Sequence, residues 1–126
     1  MPQTAKVLVV DDDFSVLESF IMILGIQDHQ VTTAKNMEEA VAAVKKEKFN
    51  VAFIDLRFYN KIDEGINILR KLKELDPALN AVICTGYASE KTKIDAIQSG
   101  AMDYISKPFM MEVIYELVER ALKGRS

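Results

Sequence analysis

Asp11, Asp12 and Asp13 stand in a row directly after the apolar run 7–10. A buried strand that ends in adjacent carboxylates gathers negative charge where water is scarce, and such charge is costly unless a cation neutralises it. The row therefore reads first as a metal or phosphoryl-transfer site. Three more chemical groups follow expected strands: Asp55 after 51–54, Thr85 with Gly86 after 81–84, and Lys107, in Ser106-Lys107-Pro108-Phe109, after 102–105. Together they suit phosphoryl transfer to a carboxylate. Acids repel an anionic donor until a hard divalent cation, bound through oxygen, removes the obstacle. An aspartate on a strand tip can then act as nucleophile and become an acyl phosphate. A lysine point charge and a threonine hydroxyl each serve one phosphoryl oxygen.

The elements that must carry these groups alternate in period. Strands are expected over 6–10, 30–34, 51–54, 81–84 and 102–105, where short apolar or β-branched runs occur. Helices are expected between them. The first, over 14–25, carries the stripe Val16, Leu17, Phe20, Ile21 and Leu24, with Asp13 as a cap. The second, capped by Asn36, carries Met37, Ala40, Val41 and Val44 and closes on the charged run 45–48, whose lysines suit a helix C-terminus. The third, over 64–75, carries Ile68, Leu69, Leu72 and Leu75 and is stopped by Pro77. The fourth spans 89–98 with Gly100 as its C′ residue. The last, over 109–123, carries Val113, Ile114, Leu117, Val118, Ala121 and Leu122, and Met110 and Met111 are expected to pack within it. Five strands alternating with five helices imply an α/β domain with a parallel sheet covered on both faces. In such sheets ligands bind at the carboxyl ends of the strands, which is where the chemical groups above stand.

The chain has 126 residues, 49% hydrophobic, which is enough for one domain over 1–126 and too few for two ordinary ones. A net charge of -3 provides no basic face for a nucleic-acid backbone, so direct nucleic-acid binding is not expected. The single cysteine, Cys84, excludes an internal disulfide, fits a reducing compartment and suits a small buried apolar position. No secretory leader is legible at the N-terminus, and the longest apolar stretch, 20–24, is far too short to span a membrane. A soluble cytoplasmic domain is expected, ending just after the last helix as a stand-alone domain or as one cut from a longer protein. His29 falls in a turn without metal-ligand companions and is expected to be an exposed loop residue.

The set Val9-Val10-Asp11-Asp12, Ile54-Asp55-Leu56, Thr85-Gly86 and Lys107-Pro108-Phe109 resembles the receiver domain of bacterial two-component response regulators, over essentially the whole chain and in order. No one motif is decisive, but the four together are highly specific. The resemblance implies a flavodoxin-like, doubly wound (βα)5 fold with strand order 2-1-3-4-5. It implies that Asp55 accepts a phosphoryl group from the phosphohistidine of a sensor histidine kinase or phosphotransfer protein. Asp11, Asp12, Asp55 and the backbone carbonyl of Arg57 would hold Mg²⁺, with Mn²⁺ an oxygen-seeking substitute. Lys107 would meet the phosphoryl oxygens, and its bond to Pro108 would be cis. Thr85 would swing toward the phosphoryl group and Tyr104 would follow as the aromatic switch, altering the face made by the fourth helix, fifth strand and fifth helix. That face would meet a downstream protein target or an effector domain, or form a phosphorylation-dependent homodimer.

The chain departs from the family after Asp55. Family members usually read Met-Pro, a small residue, then Asp-Gly; here the segment is Leu56-Arg57-Phe58-Tyr59-Asn60-Lys61-Ile62-Asp63-Glu64-Gly65, with the glycine two positions late and no proline. Arg57 and Tyr87 each stand two residues after a site residue, Asp55 and Thr85. The bulk of Arg57, Phe58, Tyr59 and Tyr87 is expected to hinder the attacking water and prolong the phosphorylated state.

Two other readings compete. A haloacid-dehalogenase-like phosphatase would use Asp11 as nucleophile in a strand-end Asp-x-Asp, but Phe14 and Ser15 do not continue that motif and no acidic pair follows Lys107. A receiver-like interaction module that no longer accepts phosphate would be consistent with the altered loop. Taken singly, Asp55 would be an ordinary turn residue, Lys107 a surface lysine and Thr85 a strand-end hydroxyl; their combination argues for a site.

Overall fold

The computed structural model of the chain describes residues 3–58, 61 and 63–124. Strands β1 (Lys6–Val10), β2 (Gln30–Ala34), β3 (Val51–Asp55), β4 (Asn80–Thr85) and β5 (Asp103–Ser106) alternate with helices α1 (Phe14–Gly25), α2 (Met37–Lys46), α3 (Glu64–Leu75), α4 (Glu90–Gln98) and α5 (Met111–Gly124). The described strands form one sheet in the order β2-β1-β3-β4-β5, with every neighbouring pair parallel. This is the flavodoxin-like architecture.

Side chains alternate across each strand, so one sheet supplies two cores. Leu8, Val10, Ala52, Ile54, Ala81 and Ile83 point to one face, where Ala40 of α2, Ile68, Leu69 and Leu72 of α3 and Ala96 of α4 cover them. Val7, Val9, Val51, Phe53, Val82 and Cys84 point to the other, beneath Leu17, Phe20 and Leu24 of α1 and Ile114, Leu117, Val118 and Ala121 of α5. Phe20 lies 5.1 Å from Phe53 and 5.0 Å from Phe109, ring centre to ring centre. That cluster joins α1, β3 and the segment just after Pro108. Cys84 is a free, buried thiol within this core.

The helix starts are set by local side chains. Asp13 accepts the Ser15 N–H at 2.9 Å. Asn36 accepts the Glu39 N–H at 2.9 Å, and Glu39 reaches back to accept the Lys35 N–H at 2.8 Å. Ser89 accepts the Thr92 N–H as the cap of α4 rather than as its first residue. Gly100 follows α4 at φ 105°, in the region that favours glycine.

The structure moves several expected boundaries. β5 begins at Asp103 rather than 102, in register with Val82. α5 begins at Met111 rather than 109, because Phe109 is drawn into the aromatic cluster and the Met110 carbonyl accepts the first helical N–H groups, from Val113 and Ile114. Met110 and Met111 are exposed instead of packed, as is Ile21, so the buried stripe of α1 is narrower than its apolar one. His29 is half-buried, and its Nδ1 accepts the Ala5 N–H at 2.9 Å, which ties the turn before β2 to the start of β1. Among the described residues no helix is long and apolar enough to cross a membrane.

Candidate functional site

The order of the sheet reverses between β1 and β3, and the carboxyl ends of these strands open a crevice there. Asp11 follows β1, held by its N–H to the Ala34 carbonyl at 3.0 Å. Asp55 closes β3. Lys107 arrives from beyond β5, where its N–H meets the Thr85 carbonyl at 2.8 Å and extends the β4–β5 ladder by one bond. The Lys107–Pro108 peptide is cis. A cleft of about 330 Å³ results, lined by Asp11, Asp12, Asp13, Asp55, Arg57, Gly86, Tyr87 and Lys107.

Within it, Lys107 Nζ lies 2.8 Å from Asp11 Oδ2 and 3.5 Å from Asp55 Oδ1. Asp11 is 2% exposed, and its second oxygen accepts the Asp13 N–H at 2.9 Å. Asp55 Oδ1 also accepts the Leu56 N–H at 2.9 Å. Burial and then the charge of Asp11 push the Asp55 carboxyl up to about 6, against the pull of Lys107. Burial likewise raises Asp11, outweighing its hydrogen bond to Lys107. Burial works against the Lys107 ammonium, but its bond to Asp11 and the charges of both acids hold it above the ordinary lysine range. Asp11, Asp12 and Asp55 each offer a carboxylate oxygen, all within 4.8 Å of one another. One ammonium among three clustered carboxylates leaves excess negative charge, so this acidic triad suits a divalent metal.

Asp13 lines the cleft but is committed elsewhere: the Ser15 hydroxyl, at 2.7 Å, and the Ser15 N–H hold its carboxyl below the usual range. Thr85 is fully buried beside the cleft, and its Oγ1 accepts the Tyr87 N–H at 3.0 Å. Arg57 and Tyr87 meet at the rim, the guanidinium 4.0 Å from the ring centre. Phe58 does not join them. It is 3% exposed and packs in the core with Leu56, Ile66 and Ile68, so it cannot shield the cleft. Phe58 and Lys61 exchange backbone hydrogen bonds at 3.2 and 2.8 Å. Tyr59 lies outside the described residues.

Tyr104 stands away from the cleft. Its hydroxyl is 2.6 Å from Thr92 Oγ1 and accepts the Ser89 N–H at 3.2 Å. Neither Thr92 nor Ser89 was expected to have a part here; only the cap preference of serine was readable. Gly65, two positions late in sequence, is fully at home in space. Its N–H meets the Leu56 carbonyl at 2.8 Å, and a Cβ there would collide with the Asp55 carbonyl.

Residues 7–119 match the response regulator receiver domain. The chain belongs to that family. The receiver is 33% identical over 103 residues to the alginate biosynthesis transcriptional regulatory protein AlgB of Pseudomonas aeruginosa, which covers 82% of this chain and 22% of that one. A CheY-like response regulator receiver domain protein from Methanospirillum hungatei superposes with a TM-score of 0.87 at 29% identity, over 97% of each chain. A Burkholderia pseudomallei response regulator, solved with a phosphorylated aspartic acid and a calcium ion, superposes with a TM-score of 0.83 at 30% identity, over 94% of this chain and 69% of that one. The receiver spans 22% to 27% of the length of the curated relatives it matches. Its acidic pocket of Asp11, Asp12 and Asp55 is typical of a phosphoaspartate site.

Proposed function

We propose that this receiver takes a phosphoryl group onto Asp55 from the phosphohistidine of a sensor histidine kinase or phosphotransfer protein. The observation that carries this reading is the position of Lys107, whose ammonium reaches both the buried Asp11 and the less buried Asp55. An Asp55 carboxylate oxygen attacks phosphorus, the P–N bond to imidazole breaks, and the P–O bond of an acyl phosphate forms. The freed imidazole keeps the electron pair of the broken bond. Lys107 stays beside the nucleophile and neutralises a phosphoryl oxygen as charge moves onto Asp55. Thr85 donates its hydroxyl to another oxygen.

Asp11, Asp12, Asp55 and the Arg57 carbonyl would hold Mg²⁺, or Mn²⁺ in its place. The ion supplies charge neutralisation for the incoming phosphoryl group and lowers the proton affinity of Asp55. Asp11 is a poor nucleophile by contrast: it is buried, paired with Lys107 and used by the Asp13 N–H. This disfavours the phosphatase reading.

Water ends the signal by attacking the phosphorus of the acyl phosphate, so the receiver catalyses its own phosphorylation and dephosphorylation without being an enzyme on a separate substrate. Arg57 and Tyr87, stacked at the rim, restrict that water and lengthen the phosphorylated state. Thr85 and Tyr104 carry the change to the face made by α4, β5 and α5, which meets a downstream target, an effector domain or a second copy of the chain. Residues 1–126 form one receiver domain acting in the cytoplasm, without direct contact to nucleic acid or membrane.

The test is incubation with acetyl phosphate and Mg²⁺, followed by intact mass measurement. A Mg²⁺-dependent, hydroxylamine-labile adduct that disappears in Asp55→Ala is the expected result. An adduct that survives in Asp55→Ala would place the nucleophile elsewhere. No adduct, with a control receiver labelled in the same mixture, would favour a phosphate-independent module.

A further inference from the structure

The Tyr104 hydroxyl is part of a closed set of hydrogen bonds at the start of α4. It accepts the Ser89 N–H at 3.2 Å and lies 2.6 Å from Thr92 Oγ1. Thr92 Oγ1 lies 3.2 Å from the Ser89 carbonyl and 2.9 Å from Ser89 Oγ, and Ser89 Oγ accepts the Thr92 N–H at 3.2 Å. Proton counting gives these bonds a direction. Tyr104 donates to Thr92 Oγ1 and Thr92 donates to the Ser89 carbonyl, so each of these two hydroxyl protons is used once. A cap on α4 needs only Ser89 and the Thr92 N–H. The bond between the Thr92 hydroxyl and Tyr104 is additional, and it joins α4 to β5.

The same loop is fastened at its other end by Thr85, whose Oγ1 accepts the Tyr87 N–H at 3.0 Å. Only Gly86, Tyr87 and Ala88 separate Thr85 from Ser89. A shift of Thr85 Oγ1 toward a phosphoryl group on Asp55 lengthens its bond to Tyr87 and pulls on a loop too short to absorb the pull. The displacement then reaches Ser89 and Tyr104.

We infer that Thr92 is a positioning residue: its hydroxyl latches Tyr104 to the first turn of α4 and opposes the rearrangement that phosphorylation drives. This inference rests on the reading of Asp55 as phosphoacceptor. By linkage, a bond that favours the latched arrangement weakens binding of a phosphoryl group by the same factor. For one hydrogen bond between neutral hydroxyls that factor is about two- to tenfold.

The test titrates beryllofluoride, a phosphoryl mimic, with Mg²⁺ into the full chain, reading Kd from amide shifts in α4 and, separately, Tm without the mimic. Thr92→Val keeps the side-chain shape and loses the bond, so it binds about two- to tenfold tighter than wild type. Thr92→Ser restores the wild-type Kd. In a Tyr104→Phe background Thr92→Val adds nothing further, since the bond is already absent. An unchanged or weaker Kd in Thr92→Val overturns the latch, whatever happens to Tm, while wild-type binding upholds the phosphoacceptor reading. Failure of wild type to bind overturns both.

Discussion

A Cβ atom on Gly65 would strike the backbone carbonyl oxygen of Asp55. The first turn of α3 thus presses against the end of β3, and its N–H bonds to the Leu56 carbonyl at 2.8 Å. The longer segment before Gly65 leaves this contact in place. Gly65→Ala is expected to destabilise the domain by about 1–3 kcal/mol, since neither backbone can yield cheaply. It should also slow acetyl phosphate labelling by displacing Asp55. Urea unfolding and timed mass measurement check both effects; wild-type stability in the variant would refute the close contact.

Asp55 ionises at a cost. Its carboxyl is raised from 3.8 to about 6, so the native state binds that proton more tightly than the unfolded state. The contribution of Asp55 to stability is therefore fully present below pH 3.8 and lost as pH rises to about 6. The shift of roughly 2 units corresponds to about 3 kcal/mol. Asp55→Asn, which cannot ionise, should be more stable than wild type at about pH 7.5 by up to that amount. The advantage should fade on acidification. Mg²⁺ should stabilise wild type far more than the variant, and its apparent affinity should fall about tenfold per pH unit below 6 as protons compete. Thermal unfolding across pH, with and without Mg²⁺, measures all three; a difference independent of pH would count against the raised carboxyl.

Arg57 and Tyr87 stack with the guanidinium 4.0 Å from the ring centre, beside the Asp55 cleft. If they restrict water as a pair, Arg57→Ala and Tyr87→Ala should each speed loss of the phosphoryl group by about two- to fivefold, the kinetic equivalent of an exposed cation–π contact. The double variant should show less than the product of the single effects. Decay of the phosphorylated protein followed by mass gives the rates. Decay no faster in either single variant would remove both residues from this role.

Phe20 is the aromatic hinge between Phe53 of β3 and Phe109, the residue that follows Pro108. Phe20→Ala should cost about 3–5 kcal/mol in unfolding free energy. Because Phe109 anchors the segment that carries Lys107, the variant should also label more slowly at temperatures where it remains folded. A stability loss with an unchanged labelling rate would separate the aromatic core from the placement of Lys107.

The order of the elements and the chemical groups at the strand ends were legible in the sequence. Strand-length segments followed by Asp11, Asp55, Thr85 and Lys107 state which groups stand at one edge of a parallel sheet. Residue type and spacing also assign Asp13 and Asn36 as caps, because those preferences depend only on neighbours in the chain. The fates of Phe58, Met110, Met111 and His29 depend on contacts that spacing cannot express. Phe58 is buried in the core cluster with Leu56, Ile66 and Ile68, Phe109 is captured by Phe20 and leaves the methionines outside, and His29 is held by the N–H of Ala5. The ring of bonds among Ser89, Thr92 and Tyr104 likewise exists only once β5 lies beside β4. Sequence alone determined the inventory of the site and the sheet edge that gathers it, since both follow from local periodicity. The tertiary structure decided which side chains face the cleft and which are spent elsewhere, since burial and pairing are set by parts of the chain distant in sequence.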